Sequence, residues 1–256
     1  MRLRLLLPIV GLAMVAVLAY ACSTTARQAK VATADSTRAR AVRAVSENTR
    51  RHPAMVRFVN AMPNSAALEL GQDSLLLFSN VVFGAVSPYK AVPAEAFHFT
   101  LRRAATVGYD ASSAASLHSD ERYTVLAVPD TGDGMAVRVI RDDLVPDSGL
   151  ARVRLIDATP GITNMVFAIV GQDEPLFNAA HDSGGIHFRD VSPTTAGFRV
   201  RGGPNGQMLV SLKSMALAAG TTYTFVLTAR ARHPVTAISF ADVGKEAAVA
   251  SSVARR

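Results

Sequence analysis

One phrase in this chain is written twice, and it restricts the fold more than any other feature. Met55-Val-Arg-Phe-Val-Asn-Ala-Met-Pro63 returns as Ala151-Arg-Val-Arg-Leu-Ile-Asp-Ala-Thr-Pro160, with Arg57 answering Arg154 and Pro63 answering Pro160. Each copy alternates along its length and stops at a proline, which reads as a strand running into a turn. Further echoes follow. Gly71-Gln-Asp73 returns as Gly171-Gln-Asp173, Val86-Ser-Pro88 as Val191-Ser-Pro193, and Tyr123-Thr124 as Tyr223-Thr224. A looser pair ends in Asp142 and Asp242. A period near 100 residues, with many short strands and Gly/Pro/Asp turns, points to two tandem sandwiches; a solenoid repeats far faster.

The strand pattern supports this. Phe97, Phe99 and Leu101 alternate with His98, Thr100 and Arg102, and Phe198 and Val200 alternate with Arg199 and Arg201. One buried and one wet face is the mark of an antiparallel sheet. Tyr123–Val128 and Tyr223–Thr228 are more continuously apolar and are expected in the middle of their sheets. The fold expected is all-β: two antiparallel β-sandwiches, immunoglobulin-like or transthyretin-like. Residues 55–148 would form the first repeat and 149–244 the second, with 245–256 left as a C-terminal tail.

Ahead of the repeats lie a leader and a tether. The first residues, Met-Arg-Leu-Arg-Leu, open a run that is apolar to Ala21, and Ala19 and Ala21 form a small-residue cleavage pattern. Residues 1–21 are expected to be a signal peptide. The only cysteine, Cys22, follows directly, so no disulfide can form within the chain. Ala19-Tyr-Ala-Cys22 resembles a bacterial lipobox, which implies cleavage before Cys22 and diacylation of its thiol. Ser23, by the same resemblance, implies the outer membrane where the cell has one. Several acyl chains on one residue would anchor stably, since a single chain binds only marginally. Residues 22–54, rich in Ala, Ser, Thr and Arg, read as a basic flexible tether.

The charge of the chain lies mostly there. The whole sequence has 27 basic and 20 acidic residues and an isoelectric point near 10.1. Nine of the basic and two of the acidic residues fall before His52, which leaves 18 of each sign in residues 52–256. A nucleic-acid-binding domain would carry the excess on the domain itself. No nucleic-acid partner is therefore expected.

Arg57-Phe-Val-Asn-Ala-Met-Pro-Asn64, Phe83-Gly84, Val86-Ser-Pro-Tyr89 and Val92-Pro-Ala94 resemble the bacterial domain-of-unknown-function family numbered 4397. The resemblance spans about 55–245 and implies tandem β-sandwich repeats on exported, surface or lipid-anchored proteins. It implies no catalytic residues. In the second repeat Thr194 stands where the Ser-Pro echo would place a tyrosine.

Three kinds of motif suggest chemistry. His181-Asp182-Ser183-Gly-Gly185 echoes the nucleophile loop of trypsin-like proteases, with His181 or His187 as base, but the orienting third group that such a nucleophile needs is missing. Asp130-Thr-Gly132, Asp147-Ser-Gly149 and Asp182-Ser-Gly184 match the aspartic-protease triplet and equally match ordinary turns. Asp130-Thr-Gly-Asp133-Gly lacks the further oxygen ligands of a calcium loop. His98 sits on a strand's wet face. No catalytic, metal or cofactor-binding residue is expected, and no cofactor; Cys22 is the one site, for lipidation. The expected protein is an exported, lipid-anchored, non-enzymatic binding or adhesion module, its partners the membrane and an envelope glycan or protein. A hydrolase using His181-Asp182-Ser183 and a structural spacer are the alternatives.

Overall fold

The computed structural model describes residues 52–72, 75–130, 134–142, 145–179, 185–230, 234–243 and 247–254. The leader, the tether, Cys22 and His181-Asp182-Ser183 lie outside the described residues. The described part is entirely strand and connection. The first eight strands are β1 (Ala54–Asn60), β2 (Leu68–Gln72), β3 (Leu75–Val81), β4 (Lys90–Val92), β5 (Ala96–Arg103), β6 (Ala111–Ser116), β7 (Arg122–Pro129) and β8 (Met135–Arg141). They form two four-stranded sheets, ordered β4-β1-β7-β8 and β3-β2-β5-β6. The next nine are β9 (Ala151–Ala158), β10 (Met165–Ile169), β11 (Phe177–Ala179), β12 (Ile186–Val191), β13 (Thr194–Gly202), β14 (Gln207–Leu217), β15 (Thr221–Thr228), β16 (Thr236–Val243) and β17 (Ala247–Ala254). Their sheets run β12-β9-β15-β16-β17 and β11-β10-β13-β14, so the second set repeats the first strand for strand and adds β17 at one edge. Residues expected as a tail thus include a strand paired antiparallel to β16.

Pairing is antiparallel except at one place in each repeat, where β1 lies parallel to β7 and β9 parallel to β15. The antiparallel sandwiches expected are thus present, each with one parallel pair. The first strand of each repeat slots between the fourth and seventh, far from its sequence neighbours, and its direction is free of any hairpin constraint.

Alternation sets the cores. Phe97, Phe99 and Leu101 of β5 face inward with Leu68 and Leu70 of β2, all at most 2% exposed, against Val56, Phe58 and Val125 from the other sheet. In the second sandwich the rings of Phe167, Phe198 and Phe225 form a triangle, with Phe167 5.2 Å from each of the others and those two 4.8 Å apart. Rings in such tilted contact are favourable beyond the area they bury.

The proline stops act as the sequence implied. Asn64 after Pro63 and Gly161 after Pro160 both take left-handed backbone, φ 55° and 80°, conformations that Asn and Gly adopt at least cost. Just before each proline the strand end is tied off locally. Asn60 Oδ1 accepts from the Met62 amide at 3.0 Å, and Asp157 Oδ1 from the Thr159 amide at 2.9 Å. Tyr123 and Tyr223 are also equivalent, each hydroxyl accepting an amide five residues back, from His118 and Ala218.

A third apolar cluster joins the sandwiches. Val59, Leu126 and Ile140 of the first pack with Ile156, Val226 and Ile238 of the second, and Val59, Leu126, Ile156, Val226 and Ile238 have no exposed surface. The face of β1, β7 and β8 that would otherwise be wet is covered by the matching face of β9, β15 and β16. That is why Tyr123–Val128 and Tyr223–Thr228 lack clean alternation: both of their faces are buried.

Candidate functional site

At the centre of the covered faces sit four charged groups. Arg57 on β1 and Arg154 on β9 are each fully buried, as is the Asp142 side chain just past β8, and Asp242 on β16 is 1% exposed. Each arginine holds a threonine of its own sandwich through Nε, Arg57 to Thr124 and Arg154 to Thr224, both at 2.9 Å. Each then reaches across to an aspartate of the other sandwich. Arg57 donates Nη1 and Nη2 to Asp242 at 2.7 and 2.9 Å, and Arg154 donates Nη1 to Asp142 at 2.5 Å. Two positive and two negative groups close a neutral, reciprocal clasp. These four titratable groups converge in a cluster that is sealed from solvent.

The clasp is not symmetric. Asp142 also accepts from Tyr89 Oη at 2.7 Å and from Thr124 Oγ1 at 2.7–2.8 Å, and Arg57 Nη2 lies 3.8 Å away. Arg57 stacks between the rings of Tyr89 and Phe240, 4.7 and 4.4 Å from their centroids. Arg154 Nη2 is buried and finds no partner among the described residues. The difference traces to the residue opposite each arginine. Val56 pairs with Lys90, which puts Tyr89 beside Arg57, whereas Arg154 pairs with Phe188, which carries no hydroxyl. Phe188, not Thr194, is the counterpart of Tyr89; the Ser-Pro echo joins segments on opposite sides of β4 and β12. Likewise Gly71 pairs with Thr100 on β5, and its structural equivalent is Ala168, paired with Arg199, while Gly171 lies in the turn past β10.

Electrostatics follow the geometry. Burial works to raise the Asp142 pKa, but Arg154, Arg57 and the Tyr89 hydroxyl outweigh it and hold the carboxyl below its usual range. Burial works to lower the Arg57 pKa, and the neighbouring Asp142, Tyr89 and Asp242 reverse it. The Tyr89 phenol is pushed up, first by burial and then by Asp142. Arg57, Tyr89 and Asp142 are each thereby held in one protonation state at neutral pH. Such a cluster positions; it does not exchange protons with a substrate.

The open concavities lie elsewhere. On the outer face of β3-β2-β5-β6, Glu69, Gly71, Leu75, Leu76, Thr100, Arg102 and Tyr109 line a cavity of about 270 Å³. A second hollow, about 410 Å³, lies where the sandwiches meet near Pro129, Asp130, Arg138 and Asp157, with Arg138 Nη1 donating to the Asp157 carbonyl at 2.6 Å. His98 is exposed on β5, as its alternation implied. Asp130 sits in the β7–β8 hairpin, its amide donating to the Gly134 carbonyl. His187 lies on β12 with its ring 5.7 Å from that of Phe177. Among the described residues no group of three or more His, Cys, Asp or Glu could hold a metal ion.

Fold and clasp together define an all-β protein of two like sandwiches packed face to face. Residues 54–168 match the family model described as a domain of unknown function (DUF4397), the family that the first repeat resembles. The matched span runs through the first sandwich into β9 and β10 and includes Arg57, Asp142 and Arg154. No curated protein matches. Among solved structures, the chain is similar to the carbohydrate-binding module CBMbc (family CBM26) from Eubacterium rectale Amy13K in complex with maltoheptaose, at 10% identity, TM-score 0.24, covering 71% of this chain and 95% of that one. It is also similar to a candidate cell adhesion protein from Bacteroides ovatus, at 8% identity, TM-score 0.24, covering 72% and 95%. At those TM-scores neither likeness carries an argument about ligand or partner.

Proposed function

We propose that the chain is an exported, lipid-anchored, non-enzymatic binding module that presents its paired sandwiches as one head. The observation that carries this reading is how the charged clasp is used. Arg57, Asp142, Arg154 and Asp242 are consumed in joining the sandwiches and are closed to any substrate. Acid–base or nucleophilic chemistry needs a group within reach of its substrate and able to change state there; these groups are fixed and inaccessible. The hollows on the outer face of the first sandwich and near Pro129 and Arg138 stay open. Cys22 followed by the basic tether supplies the anchor and the reach.

Expression of the full chain and of Cys22→Ser in a bacterial host tests the reading. The parent should fractionate with membranes and carry a diacylglycerol-sized addition on a Cys22 start, and the variant should not. The purified parent should be retained by isolated cell envelope and turn over no ester, peptide or glycoside. An unmodified start overturns the anchor. A hydrolytic activity abolished by Ser183→Ala overturns the non-enzymatic reading.

A further inference from the structure

We infer that the groove on the outer face of the first sandwich is a binding site for one ring of a neutral, hydroxyl-rich polymer, that is, a glycan without charged groups. This rests on the binding-module reading and names the ligand class for it.

The groove is built by cross-strand pairs. Glu69 pairs with Arg102 and Gly71 with Thr100, so the four share the outer face of β2 and β5. Gly71 makes the floor. A Cβ there would stand 2.7 Å from the Leu75 carbonyl oxygen, because the β2–β3 pairing slips at Leu70/Gly71 and folds the hairpin over it. Leu75 and Leu76, 60% and 46% exposed, make one wall, and Tyr109, 57% exposed, the other. The β5–β6 turn that carries Tyr109 is pinned, with Asp110 accepting from the Arg103 amide at 2.9 Å and from its guanidinium at 2.6 Å. At the end of the groove Glu69 and Arg102 meet at 2.7 Å.

That lining selects its occupant. The ion pair is neutral overall, so an anionic ligand would meet Glu69 and a cationic one Arg102. A purely apolar ligand would strip water from both without replacing its hydrogen bonds. Adjacent hydroxyls on one ring can donate to the carboxylate and accept from the guanidinium, both charge-assisted bonds, while the ring's C–H face lies on Tyr109 and the leucines. An extended peptide adding to the sheet needs a free strand edge, and the floor here is β2 and β5, each paired on both sides. The volume, about 270 Å³, falls just below the roughly 300–1,000 Å³ range of small-molecule pockets, room for a ring and not a chain. The second sandwich has no copy of it. Its equivalents of Glu69/Arg102 and Gly71/Thr100 are Val166/Arg201 and Ala168/Arg199, and the Arg199 side chain donates to the Gln172 carbonyl.

A one-ring contact is weak, so the probe should be multivalent. Full-length protein is run in native gels containing dextran, amylose, mannan or galactan, with dextran sulfate as the anionic control, and is separately mixed with isolated envelope. We expect retardation by at least one neutral polymer. Tyr109→Ala and Glu69→Gln should each weaken it about tenfold, the loss of one ring face or one charge-assisted hydrogen bond, with unchanged thermal unfolding. Arg199→Ala should leave it intact. Retardation untouched by both groove variants overturns the groove and leaves the binding-module reading standing. Retardation by dextran sulfate alone overturns the neutral ligand. Retention on envelope with no neutral-polymer response overturns the glycan assignment alone. Retention on neither overturns both.

Discussion

Replacing Asp142 by Asn should damage the protein more than replacing Asp242 by Asn, although the two aspartates are pseudo-equivalent. Asp142 neutralises Arg154, accepts from Tyr89 and Thr124, and has Arg57 Nη2 at 3.8 Å. With Asn there, Arg154 keeps only Thr224 and its Nη2 already lacks a partner, so a buried guanidinium is left without a counter-charge. Breaking a buried pair in this way costs about 3–5 kcal/mol. In Asp242→Asn, Arg57 keeps Thr124, the Asp142 charge nearby and both aromatic faces. The loss there is that of hydrogen bonds to a charged group, about 1.5–3 kcal/mol. For a body running from His52 to Arg256, each kcal/mol moves Tm by about 2–4 °C. Asp142→Asn should therefore lower Tm by about 6–20 °C and Asp242→Asn by about 3–12 °C. Thermal unfolding by circular dichroism and urea titration, with equal m-values checked, would measure both. Equal losses, or less than about 1 kcal/mol for Asp142→Asn, would refute the account of the clasp as unevenly supported.

Other consequences can be measured the same way. The folded-state pKa of Asp142 lies below its unfolded value of about 3.9, so its contribution is present above that value and is lost as pH falls through the folded one. Stability should drop in acid below about pH 4, and Asp142→Asn should flatten that limb of the profile. Ile156→Ala at the shared face should cost about 2–5 kcal/mol and, in calorimetry, begin to split a single transition into two; a single sharpened transition would count against coupling through that face. Gly71→Ala should cost about 1–3 kcal/mol, because the new Cβ meets backbone oxygen at 2.7 Å and not a yielding side chain. Phe167→Ala, which removes the ring that touches Phe177, Phe198 and Phe225, should cost about 3–5 kcal/mol.

Much of the architecture was legible because strands announce themselves by period, and repeats by recurrence. Arg57/Arg154, Thr124/Thr224 and Asp142/Asp242 all stood out as recurring pairs, and all six sit at the shared face. Recurrence reports equivalence, though, and not contact: Arg57 and Asp242 are 185 positions apart, and nothing local links them. Two echoes misled. Gly-Gln-Asp and Val-Ser-Pro are turn-rich triplets that recur by composition, at spacings of 100 and 105, whereas strand register aligns β1 with β9 at 97. The groove could not be read at all. Glu69 and Arg102 are what any wet strand face carries, Tyr109 is a turn residue, and only the slipped hairpin over Gly71 gathers them into a hollow.

The crossed reach of the arginines has the form of a self-complementary contact, in which each half offers the same donor and accepts through the same acceptor, as in a two-fold dimer. Here both halves are on one chain, joined by the few residues between Asp142 and Ala151. A short link holds its ends at an effective concentration on the order of millimolar. A face with only modest affinity between separate sandwiches would thus be almost always closed within the chain, whatever the protein's own concentration in the cell.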